Sequence, residues 1–346
     1  MIRALLFCKP QVTACIPISH RLFSLSVVNR HENPLGLPRR TGPAPEIPRR
    51  SREPVQKRPI PNVKSVIAVA SGKGGVGKST VAVNLACQLS MRRSGKRPLR
   101  VGILDLDIFG PSLPGLMGLD TADTPLTTEV MPSAAGAIVP LRNHGLKCMS
   151  MGFLLPPLNM KEEDPDKAVA WRGLMVQKAV QQLLFDVDWR SPAEPNGEPL
   201  DVLIIDLPPG TGDVALTLGQ LVRVDGAVIV STPQNVALYD VRRGIAMFKQ
   251  LSIPILGMIL NQAYFTCSNC DKRHMIYGDT SHFYQTAQRL GIPVLGELPV
   301  IGHVNEQGNR GVPFILSDRQ TNGAGIEAWQ QVMDTVQDKI YCSHHI

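Results

Sequence analysis

Short apolar runs alternate with amphipathic segments along the chain from Lys64 onward. Continuous runs of branched apolar residues are typical of strands that are buried on both faces of a parallel sheet. The chain has such runs at 65–70, 99–104, 202–205, 227–230 and 255–260. Apolar residues at helical spacing predict a helix after the first strand and further helices over 173–185, 213–222, 237–250, 281–290 and 325–340. This alternation predicts an α/β fold, a mostly parallel sheet flanked by helices.

The length of the chain is compatible with this architecture. With 346 residues, 43% of them hydrophobic, it can form one large α/β domain or two small ones. Its apolar runs are strand-sized and fall short of the ~18–20 residues that a membrane-crossing helix needs. We therefore expect no membrane span, and we expect the functional loops to follow the carboxyl ends of the strands.

Charge is concentrated at the amino-terminal end. Residues 1–60 hold eleven basic and three acidic residues, a net charge of +8, whereas the whole chain carries +7. The remainder is thus close to neutral, which removes the main argument for a nucleic-acid partner.

Residues 1–31 contain no acid and begin with a short amphipathic stretch, a composition typical of a mitochondrial transit peptide. The alternative is a disordered basic tail. Residues 32–61, rich in Pro and Arg, predict a disordered linker, and 62–346 the folded domain.

A glycine-rich segment between the first strand and its helix carries the clearest chemistry. Gly72-Lys73-Gly74-Gly75-Val76-Gly77-Lys78-Ser79 satisfies the phosphate-loop pattern G-x-x-x-x-G-K-[ST] in the strand–helix context that this pattern requires. Glycines let backbone N–H groups approach phosphates closely. We expect ATP to bind here, with Lys78 on the β- and γ-phosphates, Ser79 on Mg²⁺ and Thr80 as a further contact. The predicted nucleotide-binding residues are Gly72, Lys73, Gly74, Gly75, Val76, Gly77, Lys78, Ser79 and Thr80.

Lys73 indicates a particular class of phosphate loop. A second lysine at the start of the loop resembles the deviant Walker A ATPases, which include septum-site and plasmid-partition ATPases, the arsenite-pump ATPase and the nitrogenase iron protein. That resemblance implies that Lys73 reaches the ATP of a partner subunit across a dimer. Its charge would then stabilise the transferring phosphoryl group.

Polar residues stand at the ends of three other predicted strands. Asp206 ends an apolar run, and a buried carboxylate there is costly unless a metal or water shell satisfies it, so we expect it to hold Mg²⁺. The resemblance to deviant ATPases implies that Asp107 orients the attacking water and that Asp105 lies near Mg²⁺. It also implies that Asn261 reads the purine base, with an ordinary turn asparagine as the alternative.

Cys267 and Cys270 form the one close pair among seven cysteines. A single C-x-x-C is weak evidence, because zinc sites, redox pairs and iron–sulfur clusters all use it. Two thiolates do not complete a tetrahedral zinc site or a four-iron cluster, whereas a symmetric dimer would supply four. Cys87 and Cys148 lie in apolar segments and are expected to be packed.

Six motifs, in order along residues 62–320, make the resemblance specific. The chain resembles the Mrp/ApbC family of P-loop iron–sulfur carriers, and with its basic leader it is similar to the mitochondrial branch that serves respiratory complex I assembly. The motifs are Gly72–Thr80, Asp105–Ser112, Met149–Phe153, Trp171–Met175, Asp206–Asp213 and Cys267–Cys270. The chain departs from the family pattern at Gln262, where we expect Met.

This resemblance implies a function and its partners. It implies a slow ATPase, acting as a homodimer in the mitochondrial matrix, that binds a [4Fe–4S] cluster through Cys267 and Cys270 and delivers it to apoproteins such as complex I subunits. Two alternatives remain at this point. One is a spatial-organising ATPase of the partition or septum-site class, and the other is an ATPase with a structural zinc at the cysteine pair.

Overall fold

The computed structural model describes residues 56–94, 97–120, 136–154, 173–190, 197–267, 269–270, 272–317 and 319–344. These all belong to one compact unit, Pro54–Ile346. The predicted leader, most of the predicted linker and the Trp171-Arg172 part of one motif lie outside the described residues. Residues 56–61 pack onto the unit: the Arg58 N–H donates to the Leu221 carbonyl at 2.9 Å, and Ile60 is buried. Residues 56–61 thus belong to the folded unit, although the composition placed them in the linker.

The helices and strands alternate much as the apolar pattern predicts. The strands of the described residues are β1 Val63–Ser71, β2 Arg93–Ser94, β3 Arg97–Pro98, β4 Val101–Asp105, β5 Leu141–Asn143, β6 Leu146–Ser150, β7 Leu200–Asp206, β8 Gly226–Ser231, β9 Ile255–Leu260, β10 Phe265–Thr266, β11 Arg273–His274 and β12 Val294–Glu297. The helices are α1 Lys78–Met91, α2 Leu113–Leu116, α3 Gly173–Phe185, α4 Asp213–Leu221, α5 Asn235–Gln250, α6 Ser281–Leu290, α7 Gly302–Asn309 and α8 Arg319–His344.

Within the described residues, eight strands form the central sheet, in the order β12-β9-β8-β1-β7-β4-β6-β5. Neighbouring strands run parallel except for β5, which pairs antiparallel with β6 at one edge. The predicted fold class, a mostly parallel sheet flanked by helices, is confirmed. Strands β5, β6 and β12 extend the sheet beyond the five runs from which it was predicted. None of the described helices combines the length and apolarity needed to cross a bilayer.

Burial on both faces explains why the sequences of the central strands are continuous apolar runs. Every residue of β4 and β7 is buried, including the acids that end them. The register aligns Asp105 of β4 with Asp206 of β7, and Val69 of β1 with Asp206 as well. Because parallel strands finish at the same edge of the sheet, the phosphate loop after β1 and both carboxylates come together there.

Candidate nucleotide and metal sites

The phosphate loop connects β1 to α1, and its backbone requires glycine at two points. Gly75 has φ 77° and Gly77 has φ 78°, in the left-handed region that favours glycine. A Cβ on Gly72 would come within 2.5 Å of the backbone nitrogen of Val241, so Gly72 is needed for close approach to α5. These requirements hold the loop in a tight turn with backbone N–H groups and the start of α1 available to an anion.

Two adjoining cavities lie at this loop. The first, of about 270 Å³, is lined by the phosphate loop, Lys73 and Lys78 included, together with Asp107 and Pro209. The second, of about 720 Å³, shares Gly77, Thr80, Ser112 and Leu116 with the first and continues to Asn261 and Pro299. A small basic cavity beside a larger mixed one suits a phosphate chain attached to a nucleoside.

Lys78, which lines the first of these cavities, forms a buried ion pair with Asp206. The Lys78 Nζ lies 2.5 Å from Asp206 Oδ1 and 3.2 Å from the Ser79 hydroxyl. Burial raises the pKa of Asp206, and Lys78 opposes that rise. Asp206 also accepts a hydrogen bond from Ser79. A hydroxyl and a carboxylate that meet beside a phosphate loop are hard oxygen donors of the kind that Mg²⁺ prefers, so the residues present fit this ion.

Asp105 and Asp107 occupy different environments. Asp105 is fully buried, and its carboxylate accepts hydrogen bonds from the backbone N–H groups of Asp107 at 2.8 Å, Ser112 at 3.1 Å and Leu113 at 3.2 Å, and from the Ser150 hydroxyl at 3.3 Å. Burial and the neighbouring Asp206 raise the pKa of Asp105. Asp107 instead lines the phosphate cavity. Asp105 thus organises the loop that presents Asp107, a role in addition to the one the resemblance implies.

Asn261 binds the phosphate loop directly. It follows β9, it is buried, and its Nδ2 donates to the Val76 carbonyl at 2.8 Å. Its Oδ1 accepts from the backbone N–H of Gln262 at 2.9 Å. A Cβ added to Gly77 would lie 2.3 Å from Asn261 Nδ2, so the amide packs against the turn itself. Although Asn261 lines the larger cavity, both ends of its amide are hydrogen-bonded within the protein, Nδ2 to the phosphate loop and Oδ1 to the adjacent backbone.

The cysteine pair lies on a small hairpin beyond Asn261. Cys267 follows β10, Cys270 is exposed in the turn, and β11 returns antiparallel with Phe265 opposite His274. One ligand atom each from Cys267, Cys270 and His274 lies within 4.8 Å of the other two. His274 was not predicted from the sequence, although a histidine four residues after the second cysteine of a C-x-x-C is a signal that could have identified it.

Cys87 and Cys148 are packed, as expected. Both are fully buried in the hydrophobic core, and burial raises the pKa of each thiol, that of Cys148 to about 12. Neutral thiols in the core are inert, which separates them from the two cysteines of the hairpin.

Known proteins match this chain over most of the part that the structure describes. Residues 62–337 match the family described as NUBPL iron-transfer P-loop NTPase, within the ParA group. The chain belongs to this family. Among NUBPL relatives, the iron-sulfur cluster transfer protein NUBPL of Dictyostelium discoideum is 45% identical over 77% of this chain and 74% of its own length. The mouse protein of the same name is 42% identical over 77% and 75%. An Arabidopsis thaliana iron-sulfur protein required for NADH dehydrogenase, mitochondrial, is 41% identical over 74% and 72%.

Solved structures agree with the fold of a NUBPL-type NTPase. A nucleotide-binding protein from Archaeoglobus fulgidus, in complex with ADP and with cobalt, is 34% identical, has a TM-score of 0.56 and is matched over 72% of this chain and 87% of its own. The Pyrococcus furiosus cell division ATPase MinD is similar with a TM-score of 0.52 over 79% and 98% of the two chains. At 20% identity, MinD supports the fold alone.

Proposed function

We propose that this protein is an ATP-dependent carrier of iron–sulfur clusters. It binds a [4Fe–4S] cluster as cargo between the two subunits of a homodimer and transfers it to apoproteins of the mitochondrial matrix, subunits of respiratory complex I among them. The proposal is supported by relatives that are named iron-sulfur cluster transfer proteins and, in Arabidopsis, a protein required for mitochondrial NADH dehydrogenase.

The observation that carries this proposal is the short connection between the nucleotide site and the cysteines. Asn261 holds the phosphate loop through Val76, and Cys267 follows Asn261 by six residues. Between them Tyr264 is buried, and its carbonyl accepts from the Val300 N–H at 2.7 Å. A movement of the phosphate loop on ATP binding or hydrolysis would therefore be transmitted to the hairpin along packed backbone.

The residues at the loop fit ATP hydrolysis. Lys78 neutralises the β- and γ-phosphates, while Ser79 and Asp206 hold Mg²⁺, which neutralises charge on the phosphates when it is bound. Asp107 orients the attacking water. Lys73 is exposed at the edge of the phosphate cavity, a position from which a long side chain can reach the nucleotide of a second subunit.

The hairpin fits a cluster shared by two chains. Each chain offers two close thiols, whereas a [4Fe–4S] cluster takes four ligands. Large apolar side chains stand exposed on and after the hairpin, at Phe265, Met275, Ile276 and Tyr277. An exposed apolar patch beside an incomplete ligand set favours a subunit interface at this place.

The spatial-organising alternative has less support. That class is expected to present a basic amphipathic carboxyl-terminal helix to a membrane, or a basic face to DNA. Here α8 packs on α1 through its acids: Arg92 pairs with Asp338 at 3.0 Å, and Gln88 donates to Asp334 at 2.7 Å. The cysteine hairpin would have no use in such a protein.

The location in the matrix rests on the basic leader. We expect residues 1 to about 23–35 to be removed on import, as transit peptides are. Mass spectrometry of the amino terminus of the endogenous protein tests this, and an intact Met1 on the mitochondrial form would contradict it.

Anaerobic reconstitution with iron and sulfide tests the carrier function. The full chain should take up about two irons and two sulfides per chain and elute as a dimer, since one four-iron cluster is then shared by two chains. Cys267→Ala should lose iron and sulfide together, yet still bind ATP. Cys342→Ala, at an exposed cysteine of α8, and Cys148→Ala, in the core, are the matched controls and should keep the cluster.

Four irons on a stable monomer would refute the shared cluster. A dimer that holds zinc but takes up no cluster would favour the structural-zinc alternative.

A further inference from the structure

His274 lies beside Cys267 and Cys270 on the hairpin as a third possible metal ligand. An iron–sulfur cluster held by four thiolates does not need it. The antiparallel register pairs Phe265 with His274 and Thr266 with Arg273, and the Cys267 N–H donates to the Lys272 carbonyl at 3.0 Å. Side chains alternate between the faces of a strand, so Cys267 lies on the same face as Phe265 and therefore as His274. Residues on such a diagonal are within reach of one another when one side chain is long. The imidazole is thus directed to the thiols by the register of the hairpin.

The three ligand atoms are close to the geometry of a metal site. They lie within 4.8 Å of one another, whereas tetrahedral Zn–S and Zn–N bonds of about 2.3 and 2.0 Å place neighbouring ligand atoms roughly 3.5–4 Å apart. A side-chain adjustment of about 1 Å closes the difference, and the exposed Cys270 and His274 have room for it. We propose that Cys267, Cys270 and His274 bind one divalent transition-metal ion, such as Zn²⁺, Co²⁺ or Fe²⁺, on a single chain.

The donor set selects the class of ion. Two thiolates and an imidazole suit borderline and soft metals, and they exclude Mg²⁺ and Ca²⁺, which take oxygen ligands. Among the described residues no other Cys, His, Asp or Glu joins this cluster, so the fourth position of a tetrahedral ion is left to solvent or to a group from another molecule. A site with an open position releases its ion more readily than a closed four-ligand structural site.

The hairpin is anchored well enough to present these ligands. Phe265 bridges to Val300, the Ala263 N–H donates to the Leu298 carbonyl at 3.0 Å, and the Arg273 guanidinium lies 4.4 Å from the centre of the buried Tyr264 ring. These contacts fix the base of both strands against the end of the sheet. The ligand-bearing turn itself stays exposed and open to an ion from solution.

This site shares two thiols with the proposed cluster site but differs from it in ligands and in oligomeric state. The ion binds one monomer through two sulfurs and a nitrogen, whereas the cluster binds two monomers through four sulfurs. Because both need the same thiolates, the ion and the cluster exclude each other. A chain without a cluster would therefore hold its thiolates ligated to the ion.

Cobalt titration tests the inference. The anaerobic metal-free full chain is titrated with CoCl₂, with visible d–d absorption as the readout of tetrahedral coordination and size exclusion as the readout of mass. We expect one cobalt per monomer. His274→Ala should weaken the affinity by about 100-fold, since even the loss of an outer-shell partner costs 10–100-fold. His274→Cys should restore it, and His282→Ala, at an exposed histidine of α6, should leave it unchanged.

Two outcomes would overturn the inference: an unchanged cobalt affinity in His274→Ala, or one cobalt per two chains in a dimer. Reconstitution of the same variants with iron and sulfide separates it from the carrier function. His274→Ala is expected to keep its cluster while losing mononuclear cobalt. If the wild type fails to form a cluster yet binds cobalt through His274, the carrier function is contradicted and the mononuclear site is supported.

Discussion

The Lys78 ammonium lies 2.5 Å from the Asp206 carboxylate, so the side chain expected to bind phosphate is paired with the one expected to hold magnesium. The two residues are 128 positions apart in the chain, and both are buried. A bound nucleotide would compete for the ammonium and a magnesium ion for the carboxylate. Loading the site with Mg²⁺ and ATP together therefore replaces one buried ion pair by two new ones and leaves neither charge unpaired.

The two lysines of the phosphate loop should separate binding from turnover. Lys78→Ala should abolish ATP binding, because the buried cation that meets the phosphates is lost. Lys73→Ala should bind ATP with nearly unchanged affinity but lose hydrolysis, since the target of this exposed lysine lies on the partner subunit. Calorimetric titration with ATP and a phosphate-release assay measure the two effects. Lys178→Ala, on the exposed face of α3, is the control. Equal loss of affinity in both loop variants would contradict the assignment.

The two acids after β4 should differ in what their loss affects. Asp107→Asn should lower the hydrolysis rate by about 100-fold or more, the range of a lost general base, with the folding stability unchanged. Asp105→Asn should lower the free energy of unfolding by about 1–3 kcal/mol, because the amide keeps only one acceptor oxygen and its NH₂ group then faces backbone N–H donors of the 105–113 loop. Chemical denaturation and steady-state kinetics on both variants check this. An Asp105→Asn variant of wild-type stability would show that the buried hydrogen bonds do not organise the loop.

Asn261 offers a test between base recognition and support of the phosphate loop. Asn261→Ala should weaken nucleotide binding by about 10-fold, since the Val76 carbonyl loses its donor and the loop loses its support. If support of the loop is the whole effect, the affinities for ATP and GTP fall by the same factor. A selective loss of ATP affinity, measured in parallel titrations, would instead confirm the expectation that Asn261 reads the base.

Acid stability should depend on Asp201, at the start of β7. Burial raises the pKa of this carboxyl, but Arg97, Lys64 and the Arg100 N–H outweigh burial and hold the pKa well below its usual range. A lowered folded-state pKa contributes stability that is complete above the unfolded pKa of about 3.9 and is lost as the pH falls through the folded value. Asp201→Asn should therefore cost about 1–3 kcal/mol at neutral pH, because the carboxylate is buried but its partners Lys64 and Arg97 are about half exposed and are screened by solvent.

The measurement is the free energy of unfolding of wild type and variant from about pH 7 down to about pH 2, a range that extends well below the unfolded pKa. The two curves should converge as the medium becomes more acidic, because only the wild type has this contribution to lose. Asp186→Asn, at an exposed carboxylate, provides the control and should run parallel to the wild type. Parallel curves for Asp201→Asn as well would show that the ion-pair cluster does not govern acid stability.

The sequence determined those features whose residues are contiguous. The phosphate loop was predicted because strand, glycines, lysine and helix follow one another within a short segment, where local geometry decides the structure. The sheet was predicted because strands buried on both faces leave an unmistakable apolar pattern. Strand β5 is short and only partly buried, which makes its apolar pattern too weak to distinguish from a loop.

The tertiary structure decided how distant residues combine. Asp105 turned out to organise its own loop because parallel register sets it in the core beside Ser150, 45 residues further along. Asn261 reaches Val76 across 185 residues, and Lys78 reaches Asp206 because β1 and β7 are neighbours. His274 joins the cysteine pair through the register of a hairpin whose strands are two residues long, which composition does not encode. Sequence specifies the chemical groups, and the pairing of strands determines which of them share one site.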